Sequence, residues 1–229
     1  MNDIDRAIND LKVGRPILIF DSESREGETD ITVASQFVTY EIIKLMRKDG
    51  GGLICTTLPY SVSQKLGMPY LVDLFKNSNL EIFRLLSPTD IPYDTKSSFS
   101  LTINHRKTFT GIPDKDRALT ISEFSKIVNL AIEDGVSALS QFGNNFRSPG
   151  HVHLLIASKN LLKERLGHTE LSLALAEMAG VIPSTTIVEM MGEDGCSLKK
   201  AEAIKYGKLH NFTFVEGKDI VKRWTNWSE

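Results

Sequence analysis

A single α/β (α+β) domain, with a central mixed sheet covered by helices, is the fold class this sequence predicts. Apolar runs of strand length and amphipathic runs of helix length are mixed throughout the chain. No internal repeat, low-complexity segment or linker divides it, so residues 1–229 read as one domain. At 229 residues, with 41% hydrophobic and 24% charged side chains, the chain can bury a proper core.

Residues 3–13 carry Ile4, Ile8 and Leu11 on one helical face, with Gly14 as the stop. Pro16–Phe20 and Ile31–Val38 read as strands, and Thr39 opens a helix running through Lys48 to Gly50-Gly51-Gly52. That glycine run serves either a flexible turn or a close approach of backbone to a ligand. A strand over Leu53–Leu58 carries Cys55, and Pro59 closes it. Short helices follow near Ser61–Leu66 and Leu71–Phe75, in a stretch punctuated by Pro69, Pro88 and Pro92. Phe99, Leu101 and Ile103 alternate with polar residues as in a half-buried strand. Thr120-Ile-Ser-Glu123 has the capping-box pattern of a helix start, and Asp134-Gly135 ends that helix. The remaining elements are a strand over His151–Ala157, a helix over Thr169–Ala179 and a strand over Thr185–Met190. A helix over Ser197–His210, a strand over Phe212–Val215 and a helix over Lys218–Trp227 complete the reading.

The formal charge of −2 gives no electrostatic case for nucleic acid or an anionic membrane. No apolar run approaches the length of a membrane span, and Met1–Arg6 lacks a signal peptide's basic-then-apolar pattern. Cys55 and Cys196 follow no metal-ligand spacing, so a cytoplasmic protein with reduced thiols is expected.

The densest chemical signal is Asp21-Ser-Glu-Ser-Arg-Glu-Gly-Glu-Thr-Asp30, with five carboxylates and Arg25 between two strands. In an extended chain Glu26, Glu28 and Asp30 point one way and Arg25 and Gly27 the other. Like charges about 6 Å apart repel by about 0.7 kcal/mol in water and about 3 kcal/mol at an effective dielectric of 20. Such a cluster stays wet, takes up protons or binds a hard cation, and a solvated acidic turn satisfies the charge pattern as well.

Three further stretches bear on chemistry. Arg165-Leu-Gly-His-Thr169 lies where a helix begins, so an Arg, a hydroxyl and free backbone N–H groups could cradle a phosphate; a capped helix with an incidental His fits equally. Glu189 sits inside an apolar strand, where desolvation would raise its pKa and suit it to proton transfer, unless it faces water. His151 starts a strand after Pro149-Gly150, and spacing does not choose between it and His153.

Five stretches occur here in one order: Asp-Ser-Glu-Ser-Arg-Glu-Gly-Glu-Thr-Asp, Met-Arg-Lys-Asp-Gly-Gly-Gly-Leu-Ile-Cys, Phe-Arg-Ser-Pro-Gly-His-Val, Arg-Leu-Gly-His-Thr-Glu and Ile-Val-Glu-Met-Met-Gly-Glu-Asp-Gly. Together they resemble the 3,4-dihydroxy-2-butanone 4-phosphate synthases of riboflavin biosynthesis, in their stand-alone archaeal form. The resemblance implies a three-layer α/β fold, a homodimer with sites near its interface, and a Mg2+- (or Mn2+-) dependent conversion of ribulose 5-phosphate with release of formate. It implies Glu26 and His168 as metal ligands, and Arg25, Glu26, Asp30, Arg165, Leu166, Gly167, His168, Thr169 and Glu189 as substrate contacts. It implies His151 and Glu189 as catalytic residues, and the chemistry adds Asp30 as a further proton carrier. Cys55, Glu28 and Thr110 fall in matching stretches near the site. Leu166 stands where a small or polar residue is expected, and His153 matches no role and is read as structural.

Overall fold

The apolar positions of the first strand already divide the molecule into layers. In the computed structural model, which describes residues 2–88, 90–94 and 96–228, β1 (Ile17–Phe20) is buried along its whole length. Leu18 joins Ile31, Val33 and Val188 in one core, while Ile17 and Ile19 join Ala34 in another on the opposite face. A strand buried on both faces needs helices on both sides, and it has them.

Among the described residues the sheet has seven strands: β1, β2 (Thr29–Ala34), β3 (Cys55–Leu58), β4 (Phe99–His105), β5 (Phe146–Ile156), β6 (Thr185–Glu189) and β7 (Thr213–Glu216). Their order is β4-β5-β3-β6-β2-β1-β7. The pairs β1–β7 and β3–β5 are parallel and the others antiparallel, so the sheet is mixed as expected. On one face lie α2 (Tyr40–Leu45), α3 (Tyr60–Lys65), α6 (Asp114–Glu133), α7 (Gly135–Asn145) and α9 (Lys200–His210). Phe124 of α6 is fully buried there, its ring 5.7 Å from Phe142 and 6.2 Å from Phe146. The other face carries α1 (Asp3–Lys12), α8 (His168–Ala179) and α10 (Gly217–Ser228), which seal Ile17, Ile19 and Val215. Among the described residues, no long helix covers this second face beyond α8. Cys55, Leu155 and Ile187 form a small separate apolar cluster there, and a cleft opens above them.

Several boundaries differ from the sequence expectation for identifiable reasons. The strand expected to Val38 ends at Ala34, because the buried Ser35 turns into a short 3-10 helix and bonds Ser184 and Thr186. The helix expected through Lys48 stops at Leu45 and loosens into a π turn, Met46–Gly50. That turn delivers Gly50 against Val188 of β6, where a Cβ would lie 2.6 Å from the Val188 side chain. Thr120-Ile-Ser-Glu123 is not a helix start: α6 begins six residues earlier, at Asp114. The Thr120 hydroxyl instead donates to the Asp116 carbonyl and accepts from the His105 N–H. Asp134 does end α6, and its carboxylate then accepts from the N–H groups of Val136 and Ser137 to start α7, a helix the sequence reading lacked. The same reading lacked α5 (Glu81–Leu85), which follows α4 (Leu71–Lys76), and began β5 at His151 where pairing with β4 starts at Phe146.

Phe124→Ala is expected to destabilise the domain by about 3–5 kcal/mol through the cavity it leaves beside the Phe142 and Phe146 rings, read as a lowered urea midpoint.

Candidate active site

Asp21 shapes the acidic stretch. Its carboxylate accepts from the N–H groups of Glu26 (3.0 Å) and Glu28 (3.1 Å), bending residues 22–27 into a tight turn with Gly27 at φ +69°. The stretch is therefore not extended before Thr29, and the expected opposition of Arg25 to the carboxylates does not hold. Arg25, Glu26, Glu28 and Asp30 all line one cleft of about 320 Å³.

The first turn of α8 forms another wall. His168 is buried, with Nδ1 3.2 Å from Glu26 Oε2 and Nε2 3.3 Å from the Glu28 carbonyl oxygen and 3.6 Å from Asp30 Oδ1. Arg165, just before the helix, lies 2.6 Å from the buried Glu170 and 2.5 Å from Asp94. Arg25 contacts Glu26 at 2.9 Å and Asp94 at 3.1 Å. Gly167 is the N-cap, and its missing side chain leaves room for the arginines: a Cβ would sit 2.4 Å from Arg165 Nη1 and 2.8 Å from Arg25 Nη2 and would displace them. Two guanidinium groups thus crowd against the free N–H end of a twelve-residue helix.

The sheet supplies the floor. Asp30 of β2 and Glu189 of β6 are direct cross-strand partners, and Cys55 lies opposite Ile187 one step along. Glu189 Oε2 accepts from the Leu53 N–H at 2.7 Å. The triple glycine makes this possible, since a Cβ on Gly52 would lie 2.3 Å from Glu189 Oε2 and 2.9 Å from the Glu189 carbonyl. Its close approach is to β6.

Burial and crowding set the charge states. Burial raises Asp30 to about 8, with Glu189, Glu26 and Glu28 adding to the rise against the pull of His168. Burial alone would lower His168, but Asp30, the Glu26 hydrogen bond and Asp21 outweigh it and push the imidazole to about 9. The surrounding carboxylates therefore keep at least one proton on the Asp30–His168 pair near neutrality. Burial raises Glu189 as well. Glu26, although burial favours its neutral form, is held below the usual carboxylate range by His168, Arg25 and Arg165. Burial, Glu189 and Asp30 raise the Cys55 thiol, which keeps it in the unreactive protonated form.

Nitrogen and carboxylate donors from Asp21, Glu26 and His168 lie within 4.8 Å of one another. Asp21 already spends both oxygens on the loop and on Arg25, which leaves Glu26 and His168 as the available pair. The buried Asp30 Oδ1 has no hydrogen-bond partner and faces His168. An imidazole, a carboxylate and an unsatisfied carboxylate oxygen at a wet cleft suit a hard divalent cation.

The chain matches the 3,4-dihydroxy-2-butanone 4-phosphate synthase family model over residues 5–223. The chain belongs to that family. A 3,4-dihydroxy-2-butanone 4-phosphate synthase of Methanosarcina mazei is 45% identical over 98% of this chain and 92% of its own length. One of Archaeoglobus fulgidus is 43% identical, over 99% and 96%. The crystal structure of a synthase in cation-free form superposes with a TM-score of 0.78 at 24% identity, covering both chains in full. Another, described as a complex with two magnesium ions, gives a TM-score of 0.75 at 24% identity over 97% of this chain and 96% of that one. The protein is thus an enzyme, a carbon–carbon lyase of the synthase family in riboflavin biosynthesis.

Arg25, Glu26, Glu28, Asp30, Cys55, Arg165, His168, Thr169 and Glu189 all line the cleft. Leu166 is half exposed beside it. His151 and Thr110 lie elsewhere. His151 is on an exposed part of β5, its N–H donating to Asn104 Oδ1 and its Nδ1 3.1 Å from Asn104 Nδ2, which also donates to the Thr110 carbonyl. Phe109, 94% exposed, adjoins this patch. The sequence reading passed over Asp94, Tyr93 and Lys96 of the cleft mouth, which lie in an irregular proline-flanked stretch without periodicity.

Gly52→Ala is expected to push Glu189 off the Leu53 N–H, lowering synthase turnover at least tenfold and stability by about 1–3 kcal/mol. Turnover and urea unfolding of the variant check both.

Proposed function

We propose that the protein converts D-ribulose 5-phosphate to 3,4-dihydroxy-2-butanone 4-phosphate and formate, aided by Mg2+ or Mn2+ held by Glu26 and His168. The observation that carries the reading is the Glu26–His168 contact of 3.2 Å, set between a pair of arginines and two carboxylates, the buried Asp30 and the half-buried Glu189. It separates a cation-binding corner from an anion-binding corner within one cleft. The bound cation would act as a Lewis acid toward the substrate's ketone oxygen.

The chain's own residues supply the rest. Arg25, Arg165 and the N–H end of α8 at Gly167, His168 and Thr169 anchor the phosphate, far from the reacting carbons, so binding energy can orient the sugar. Leu166 contributes backbone there. Asp30 and Glu189, their pKa values raised by burial, can each accept a proton from carbon or hydroxyl and return it near neutral pH. The two products together contain the atoms of one ribulose 5-phosphate, so no redox co-reactant is needed.

His151 enters through a second copy of the chain. It lies two residues along β5 from His153 and four from the cleft residue Leu155, where the pairing of β5 with β4 becomes irregular. The exposed Phe109 beside it suits a homodimer in which the patch of one protomer closes the cleft of its partner. This reading places the enzyme in the cytoplasm, acting on a small molecule; no helix among the described residues is long and apolar enough to cross a membrane.

Formate release from ribulose 5-phosphate tests the reading. Formate should appear with Mg2+ and fall to background with chelator, and Glu26→Gln should lose at least a hundredfold in turnover with its melting temperature retained. Metal-independent formate, or a fully active Glu26→Gln, contradicts the metal assignment; no formate from folded, metal-loaded protein contradicts the reaction.

A further inference from the structure

We propose that Asp94 is a built-in anion at the phosphate subsite, holding Arg25 and Arg165 in place until the substrate's phosphate displaces it. This rests on the phosphate assignment made above.

Asp94 Oδ2 touches both guanidinium groups, 2.5 Å from Arg165 Nε and 3.1 Å from Arg25 Nη2. One oxygen bridging two arginines beside a helix N-terminus is the contact a phosphate oxygen would make. The other sides of the arginines are also occupied: Arg165 Nη1 by Glu170 at 2.6 Å, and Arg25 Nη1 by Glu26 at 2.9 Å and Asp21 at 3.3 Å. Two positive groups therefore face four carboxylates, and a dianion added without removing one would meet uncompensated negative charge.

Three of the four are fixed. The Asp21 and Glu170 side chains are fully buried, and backbone amides of Glu26, Glu28 and Ser158 hold them. Glu26 is committed to His168. Of the four, Asp94 lies in the irregular stretch between α5 and β4, at the cleft mouth, its other oxygen accepting from the neighbouring Lys96 N–H of the same stretch at a long 3.4 Å, with Tyr93 half exposed over the Arg25 guanidinium. It is the carboxylate that can withdraw without opening the core. Its presence keeps the two like-charged arginines together in the empty cleft and sets a threshold that only a strongly charged phosphate passes. Neutral sugars would leave Asp94 where it is.

The test is calorimetric titration of the magnesium-loaded protein with inorganic phosphate. Asp94→Asn should bind phosphate about tenfold more tightly than the wild type, a gain of about 1.4 kcal/mol. Asp94→Ala should change affinity in the same direction, and serves if the amide variant fails to fold. Asp73→Asn removes a charge from the same part of the molecule, one paired with Lys96 at 2.8 Å, and should leave phosphate affinity unchanged. Arg165→Lys should weaken binding. Unchanged or weaker binding in both Asp94 variants overturns the displacement while Arg165→Lys upholds the subsite. Equal tightening in Asp73→Asn overturns it as a bulk charge effect. An Arg165→Lys protein that binds phosphate normally overturns the subsite itself, and the proposal with it.

Discussion

The cleft depends on reconciling many carboxylates in one partly buried corner. Asp21, Glu26, Glu28, Asp30, Asp94, Glu170 and Glu189 converge on two arginines and one histidine. Unpaired, such charges would cost several kcal/mol each to bury. The fold answers with position. Asp21 and Glu170 are spent on backbone amides and on the arginines, the Asp30–His168 pair keeps at least one proton, and Glu189 accepts a backbone hydrogen bond. What remains is the Glu26–His168 contact with the unsatisfied Asp30 oxygen beside it, a donor set that suits a divalent cation.

That arrangement places demands on parts of the chain remote in sequence. The strand order puts β2 and β6 side by side, so Asp30 and Glu189 meet across a rung although 159 positions separate them. The glycine run crosses β6 closely enough to offer the Leu53 N–H to Glu189. Gly167 admits both guanidinium groups to the end of α8. The helices α1, α8 and α10 seal one half of their face and leave the other half open for the cleft.

Much of this was legible in the sequence because it follows local pattern. Periodicity located α1, β1, β6, α8 and the terminal helix to within a few residues, and the density of charge in residues 21–30 marked the site's acidic corner. What escaped was set by tertiary contact. Thr120 has the residue type of a cap, but its hydroxyl serves a His105 amide from another element. Asp134-Gly135 reads as a stop, and only the bonds made by the Asp134 carboxylate reveal a second helix. Asp94 meets arginines 69 and 71 residues away, a relation with no local signature. The motif that carries His151 was visible, yet its sequence cannot say that it lies outside the cleft of its own chain.

The central claim is that an imidazole nitrogen and a carboxylate oxygen share one cation in this corner. Electron spin-echo spectroscopy of the Mn2+-loaded protein tests it directly, because a bound nitrogen modulates the manganese signal. The account predicts such a modulation in the wild type and its loss in His168→Asn. A Mn2+ signal from oxygen ligands alone, unchanged in His168→Asn, would contradict it.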